Sequence, residues 1–466
     1  MDKVVANAAD AIADIDDRAV VGISGFGASH NFPVDLIQAC AAKEISGLTL
    51  VCNSLGVTED HPRRLVTAGR VSCLRAAFSA RAAVPDSSAQ QQSPVPIDVE
   101  LIPQGILVER LRAAGAGLGP FYSPVGVDTD LADGREIRHF DGRDHLLEYP
   151  LHLDYAFVYA AAADRAGNVA FRGTSENLAP SVAKAAKVVI VQVDEIFEVG
   201  ELPTDEIDLP GVFVDRVVRS ASTRVPAWSQ RRDDDERRLY HGKPGLTPRE
   251  IGRWIAELLP HGSYVNLGVG LPTQVSDFVT GRDISLHAEN GALGYSERLS
   301  VEHADPDAYN AGGEPIMLGP GASVFDSVRA FEIARGGHLD AVVLGAFQVD
   351  ARGSFANWTT PRMGGGAIGG AMDLIVAPGR LIIAMRHTER NGRPKVVSAL
   401  DYPLTGKEIV DIVVTDLAVM ERDTAGAEGF VLRRVAAGFE PHEILELTEA
   451  PLRIDLWGSA PPPPVT

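Results

Sequence analysis

Short apolar runs alternate with amphipathic stretches along most of the chain, and the alternation runs through the same theme twice. In the first half, Ala19-Val20-Val21-Gly22-Ile23 reads as a buried strand entering the glycine-rich Ser24-Gly25-Phe26-Gly27, with helical spacing from 33 to 40. In the second half, Tyr264-Val265-Asn266-Leu267 enters Gly268-Val269-Gly270-Leu271-Pro272, with helical sequence from 272 to 278. Apolar runs at 48–52, 156–161, 188–193, 341–344 and 381–385 predict further strands. Strands of this kind separated by helices predict mostly parallel sheets. A single glycine-rich loop after a strand is weak evidence for phosphate binding. Two in matching places predict a duplicated architecture: two similar open α/β domains facing each other, with a site at the interface between the halves.

Between the halves the pattern breaks. Arg231-Arg232-Asp233-Asp234-Asp235-Glu236-Arg237-Arg238 has no apolar periodicity and reads as a solvated linker. A helix start follows it. Thr247 suits an N-cap, Pro248 the first helical position, and Glu250 completes a capping box. Ile251, Trp254, Ile255 and Leu258 then fall on one helical face. The expected organisation is a first domain over 1–219, a linker over 220–246, a second domain over 247–455 and a Pro-rich tail over 456–466. The polar, Pro-bounded stretch 85–96 is expected to be a surface loop, and the run Pro461-Pro462-Pro463-Pro464 a PPII-like tail.

The segment Ile284-Ser285-Leu286-His287-Ala288-Glu289-Asn290-Gly291-Ala292-Leu293-Gly294 carries the strongest chemical signal. A strand-like run ends in a carboxylate, an amide and a glycine. Strand ends are where α/β folds present reactive groups. A desolvated carboxylate is a better nucleophile than a hydrated one, and Asp or Glu can form covalent acyl intermediates. Asn290 offers a hydrogen-bond donor, and Gly291 allows close approach to the backbone. The plainer alternative is an ordinary turn with a solvated glutamate. His287 is expected to point to the opposite face of the strand from Glu289 and to serve packing.

Composition narrows the function classes. The chain has 466 residues, 45% of them hydrophobic, and a formal net charge of -20, which favours neither nucleic acid nor an anionic membrane as partner. Three cysteines, Cys40, Cys52 and Cys73, form neither a disulfide framework nor a metal-type spacing. No run is apolar enough to span a bilayer, and Met1-Asp2-Lys3 onward lacks a signal-peptide core. A cytoplasmic, homo-oligomeric protein acting on small molecules is the expectation.

Taken together, these residues resemble the family I coenzyme A transferases, with the two usual subunits fused into one chain. The first half matches at Gly22-Ile23-Ser24-Gly25-Phe26-Gly27, Asn53-Ser54-Leu55-Gly56 and Ile102-Pro103-Gln104-Gly105. The second matches at Val265-Asn266-Leu267-Gly268-Val269-Gly270, Glu289-Asn290-Gly291 and Gly369-Gly370-Ala371-Met372-Asp373. The resemblance implies a ping-pong transfer from an acyl-CoA, succinyl-CoA first among them, to a small carboxylic acid. Glu289 is then the nucleophile that carries a glutamyl-CoA thioester. The backbone N–H of Gly370 is the oxyanion donor, with Gly369 shaping the turn. Asn53, Gln104 and Asn266 line the site as neutral amides, and Gly25, Phe26 and Gly27 wall it from the other half. Coenzyme A enters as substrate, and neither metal nor redox cofactor is implied.

Two acceptor types are close. His261-Gly262-Ser263-Tyr264, Leu286-His287 and Leu344-Gly345-Ala346-Phe347-Gln348 resemble the 3-oxoadipate type, whereas Asp164-Arg165-Ala166-Gly167-Asn168 leans toward the acetoacetate type. The balance favours 3-oxoadipate narrowly, with Arg362 as the candidate cation for its second carboxylate. Arg110 and Arg165 are as consistent with structural ion pairs as with substrate contacts. An acyl-CoA hydrolase and a non-catalytic small-molecule-binding module on the same scaffold are the alternatives.

Overall fold

The computed structural model describes residues 2–27, 31–79, 93–222, 235–423 and 428–458. Its first half is built on a sheet whose order along the main path is Val4–Val5, Arg216–Arg219, Ala186–Phe197, Leu153–Asp164, Val20–Ile23, Leu48–Ser54, Val71–Phe78 and Asp98–Leu101. Every neighbouring pair on that path is parallel. Only Val169–Ala170, at the margin, pairs antiparallel, with Leu153–Asp164. The strand interiors are Val, Ile, Leu and Ala because helices cover both faces. On one side Leu36, Ile37 and Cys40 of the helix Val34–Ala42 are buried. On the other, Ile106, Leu107 and Leu111 of the helix Gln104–Gly115 are buried.

The second half has a ten-stranded sheet. Its centre, Ser285–Ala288, Tyr264–Leu267, Ala341–Gly345, Leu381–Ala384 and Ile412–Val414, is parallel throughout. The flanks are mixed. Ser285–Ala288 turns back into Ala292–Arg298, which pairs antiparallel with Ile316–Val324. At the other side Ala418–Arg422 and Phe430–Val435 run antiparallel, and Leu452–Ile454 closes the sheet. The expectation of two similar halves with mostly parallel sheets holds, and the strands predicted from apolar runs are all present.

Three local readings meet the structure differently. The helical sequence after Gly270 forms a 3-10 helix over Leu271–Phe278 rather than an α-helix. The end of the expected solvated linker is packed. Leu239–Tyr240 pairs with Lys243–Pro244, and the buried Tyr240 bonds Asp416 through its hydroxyl at 2.9 and 3.0 Å. Residues 85–92 of the expected surface loop, 223–234 of the expected linker and the tail from 459 lie outside the described residues.

The cap at Thr247 forms as the spacing predicts. The Glu250 N–H donates to Thr247 Oγ1 at 3.1 Å, and the Thr247 N–H donates to Glu250 Oε2 at 2.8 Å. The helix Pro248–Leu258 then buries Ile251, Trp254, Ile255 and Leu258. Thr247→Ala removes one acceptor of this box and should cost about 1 kcal/mol. For a unit of this size that is a fall of roughly 2–4 °C in melting temperature. Differential scanning calorimetry checks it, and an unchanged transition would show that the cap does not hold this helix.

Candidate functional site

The C-terminal ends of the parallel strands in both halves carry the predicted site residues, and the segments around them meet at the boundary between halves. On the second half, Asn266 and His287 are register partners on adjacent parallel strands. The Asn266 amide donates to His287 Nδ1 at 2.9 Å and reaches Glu289 Oε2 at 3.4 Å. Glu289 sits one residue past Ser285–Ala288 and is only 6% exposed. Burial pushes its carboxyl above the usual glutamate range, opposed by its own backbone N–H and by Asn266. The plain reading of a solvated glutamate in a turn is therefore excluded. His287 is fully buried, and desolvation pushes its imidazole down to about 4, so it stays neutral. It does not point to the opposite face as expected: it lies two residues before Glu289, where alternation returns to the same face, and the one Asn266 amide meets both side chains.

Asn290 and Gly291 are turned away from the role expected of them. Asn290 is fully buried, and its amide donates to the Tyr309 carbonyl at 2.9 Å. Gly291 has φ 115°, and a Cβ placed there would lie 1.9 Å from the Phe325 carbonyl oxygen. What approaches this glycine closely is the protein's own backbone. The Phe325 N–H donates to the Gly291 carbonyl at 3.1 Å, and its ring stacks on His287 at 6.4 Å. Both residues hold the turn that presents Glu289.

The second group comes from the first half and one loop of the second. Asn53 lies near the end of the strand Leu48–Ser54, and Gln104 opens the helix Gln104–Gly115. The Gln104 Nε2 donates to Asn53 Oδ1 at 2.9 Å, leaving Gln104 Oε1 and Asn53 Nδ2 buried with no partner among the described residues. Native interiors rarely leave such atoms unpaired without a purpose. The Gln104 N–H donates to the Gly369 carbonyl at 2.9 Å, and the Gly369 N–H reaches back to the Ala77 carbonyl at 3.2 Å. Gly369 has φ 56°, with Phe78 2.9 Å from where a Cβ would stand. Gly370 caps the short helix Ala371–Leu374, and Gln104 Oε1 lies 3.2 Å from its would-be Cβ. Gly369 and Gly370 are thus brought against Gln104 and Asn53.

Gly25 and Phe26 are closed in by the protein itself, whereas Gly27 is partly exposed. Gly25 has φ 119°, and the Phe32 ring occupies the place of its Cβ at 2.4 Å. Phe26 is buried in an apolar cluster that includes Ala311, Ile368 and Met372 of the second half. A Cβ placed on Gly27 would lie 3.7 Å from the Ala311 carbonyl oxygen, an ordinary contact. Arg110 and Arg165 serve structural pairs: Arg110 meets Glu100 at 2.7 Å, and Arg165 binds Asp2. Arg362 is exposed.

Several contributors carry no signal in the sequence. Tyr309 is fully buried at the boundary. Its hydroxyl accepts from Asn31 Nδ2 at 2.7 Å, and its N–H donates to Thr174 Oγ1 at 3.2 Å. The helix Ser327–Arg335 backs both groups: Phe331 lies against Gly370 and Arg335 reaches Asp373 at 3.1 Å. A separate cavity of about 430 Å³, lined by Arg380, Arg422, Arg433 and Arg453 among others, lies away from these groups. Arg422, Arg433 and Arg453 meet acids, as Arg433 meets Glu421 at 2.8 Å, and the cavity contains none of the residues above. Among the described residues no cluster of His, Cys, Asp or Glu could hold a metal, and no helix is long and apolar enough to cross a membrane.

The chain matches the coenzyme A transferase family over residues 5–220 and 250–440, and it belongs to that family. It is an enzyme of the CoA-transferase class. It is 33% identical to human mitochondrial succinyl-CoA:3-ketoacid coenzyme A transferase 2, over 96% of this chain and 89% of the relative. Each half also matches one of the two separate chains of 3-oxoadipate CoA-transferases. Against one of these chains from Pseudomonas putida the identity is 39%, over 47% of this chain and 94% of the relative. Against the other, from Acinetobacter baylyi, it is 38%, over 44% of this chain and 95% of the relative. A solved acyl-CoA transferase from E. coli O157:H7, in a thioester complex with CoA, superposes with a TM-score of 0.78 over 98% of this chain and 95% of that one. At 19% identity that likeness is one of fold.

Gly291→Ala should be among the most damaging substitutions in the chain, since a Cβ at 1.9 Å from a backbone oxygen cannot be accommodated without moving the turn. Loss of soluble protein, or a melting temperature well below wild type with transfer abolished, is expected. A soluble, fully active variant would contradict the placement of this turn.

Proposed function

We propose that the enzyme moves coenzyme A from an acyl-CoA, succinyl-CoA first among them, to a 3-oxo acid through a thioester on Glu289, with 3-oxoadipate ahead of acetoacetate. The observation that carries this reading is Glu289 itself: a carboxylate at a strand end, 6% exposed, raised in pKa by burial and met by a neutral amide. The Glu289 carboxylate attacks the acyl-CoA carbonyl and expels CoA thiolate, giving a mixed anhydride. The thiolate attacks the Glu289 carbonyl of that anhydride, which frees the donor acid and leaves the enzyme thioester. The acceptor carboxylate then attacks the thioester carbonyl and again expels the thiolate. Attack of the thiolate on the acceptor's acyl carbon yields the new acyl-CoA and restores Glu289. Each step passes through an oxyanion, for which the Gly370 N–H is the donor. Protein carboxylate and substrates suffice for the relay.

Neutral amides suit such a sequence because carboxylate, anhydride and thioester must all be held without trapping the charged form. Asn53, Gln104 and Asn266 supply them. The low exposure of Glu289 favours an acceptor carboxylate over bulk water in resolving the thioester. The names of the relatives, succinyl-CoA:3-ketoacid transferase along the whole chain and 3-oxoadipate CoA-transferase along each half, support a 3-oxo acid as acceptor.

Incubation with succinyl-CoA alone should load Glu289 with CoA, and borohydride should then reduce that thioester and inactivate the enzyme. Full activity with no modified peptide would refute the covalent relay. Glu289→Gln and Glu289→Ala should lose transfer while keeping the fold. The acid limb of kcat/KM should lie above the ordinary glutamate range, because a raised pKa keeps Glu289 protonated to higher pH and transfer requires the ionised form. An acid limb at or below about 4.3 would contradict that burial.

The acceptor preference turns on Arg362. It is exposed beside a loop tied to the first half, where the Gly366 N–H donates to Ser79 Oγ at 3.1 Å. Arg362→Ala should lower the preference for 3-oxoadipate over acetoacetate, and an unchanged ratio would remove Arg362 from the site. A kcat/KM for acetoacetate more than about tenfold higher, equivalent to about 1.4 kcal/mol, would reverse the proposed acceptor.

A further inference from the structure

The boundary between the halves contains a buried ionic clamp that the transfer reaction leaves unused. Asp373 is fully buried, three residues past Gly370. Its Oδ2 accepts from the Gly105 N–H of the first half at 2.9 Å. Its Oδ1 accepts from Arg335 Nη1 at 3.1 Å, and Arg335 Nη2 donates to Glu109 Oε1 of the first half at 2.6 Å. Burial pushes the Asp373 carboxyl up to about 6, against the pull of Arg335. An ion pair so deeply desolvated is weak evidence for stability, since apolar packing would hold the halves as well. Its retention here calls for another reason.

The geometry supplies that reason. Asp373 N–H donates to the Gly370 carbonyl at 3.1 Å, so the backbone around Gly370 moves with Asp373. Gly105 follows Gln104 directly, so the far end of the clamp moves with Gln104. The approach is as close as it can be: a Cβ on Gly105 would stand 2.3 Å from Asp373 Oδ1. Arg335 ends the helix whose Phe331 packs on Gly370, and Phe325, just before that helix, braces Gly291. One rigid path therefore links the turn bearing Glu289, the Gly369–Gly370 turn and the Gln104 amide.

We propose that Asp373 is a positioning residue for transfer: with Arg335 it locks the Gly370 N–H and the Gln104 amide in fixed relation to Glu289 across the boundary. The inference rests on the reading of Glu289 and Gly370 given above. A misplacement of about 1 Å at such a site costs roughly a hundredfold in rate. The loss should fall on the chemical step and spare substrate binding, because Asp373 is sealed from the substrate.

The test measures single-turnover loading of Glu289 with CoA from succinyl-CoA, together with KM and melting temperature. Asp373→Asn keeps the shape and an acceptor for Gly105 but loses the charge that draws Arg335. It should load Glu289 on the order of 10- to 100-fold more slowly, with KM within about threefold of wild type. Arg335→Met should show the same loss in kcat. Arg335→Lys, which keeps the charge but not the fork to both Asp373 and Glu109, should recover only part of the rate. A wild-type loading rate in folded Asp373→Asn or in Arg335→Met overturns the proposal, as does a loss confined to melting temperature or KM. If wild-type enzyme itself gains no CoA on Glu289, the relay falls and this inference with it. Normal loading in the variants sinks the inference alone.

Discussion

The structure depends on holding a carboxylate out of water with no cation to meet it among the described residues. Glu289 forms no ion pair among the described residues, and its side-chain partner is the Asn266 amide. An arginine there would make burial easier and would lower the pKa. It would also hold the donor acid once released, and a site that must pass two carboxylates in turn cannot retain the first. The raised pKa is the cost of leaving that place neutral, and the fold around it is stiff enough to bear the cost. Glu289 follows a strand with parallel and antiparallel neighbours on its two sides, and a glycine that admits no side chain makes the turn.

Stiffness at this point is shared between halves rather than contained in one. The Glu289 turn is tied through Asn290 to Tyr309, and Tyr309 is tied to Asn31 and Thr174 of the first half. In the other direction, the Gly369 segment of the second half bonds to Ala77 and Gln104 of the first. Each half therefore supplies a support that the other's reactive element needs. A duplicated α/β unit places strand ends toward a common boundary, but duplication alone leaves the two sets of strand ends free to slide. The apolar cluster that joins Phe26 to Ile368 and Met372 supplies adhesion without direction. Hydrogen bonds and the Asp373–Arg335–Glu109 contacts supply the register.

Much of this is legible in the sequence, for identifiable reasons. The parallel strands are readable because both faces are covered, so their sequences are continuous apolar runs. The Thr247 cap is readable because its chemistry is local to four residues. The Glu289 strand end stands out because a carboxylate, an amide and a glycine follow an apolar run. The pattern does not foresee how Asn290 and Gly291 are held, because their partners lie farther along the chain: Asn290 donates to the Tyr309 carbonyl, and the Phe325 N–H donates to the Gly291 carbonyl. It places Gly25 and Phe26 on an open wall for a similar reason: only the fold shows Phe32 and the second half closing on them. Arg335 and Tyr309 have no local signature at all.

The placement of charge follows from the same chemistry. In the proposed relay the substrates change from carboxylate to anhydride to thioester within one cycle, so any formal charge beside the reacting carbon would favour one of these over the others. Amides do not, and Asn53, Gln104 and Asn266 each keep a buried polar atom without a partner among the described residues. Removing charge from the site removes its strongest source of orientation as well. Here that orientation is recovered one step away, where Asp373, Arg335 and Glu109 meet at 2.6 to 3.1 Å behind the Gly370 turn. Full charges set behind the turn can fix the donors without competing for what they bind, which is why a neutral site and a buried ionic clamp belong to one design.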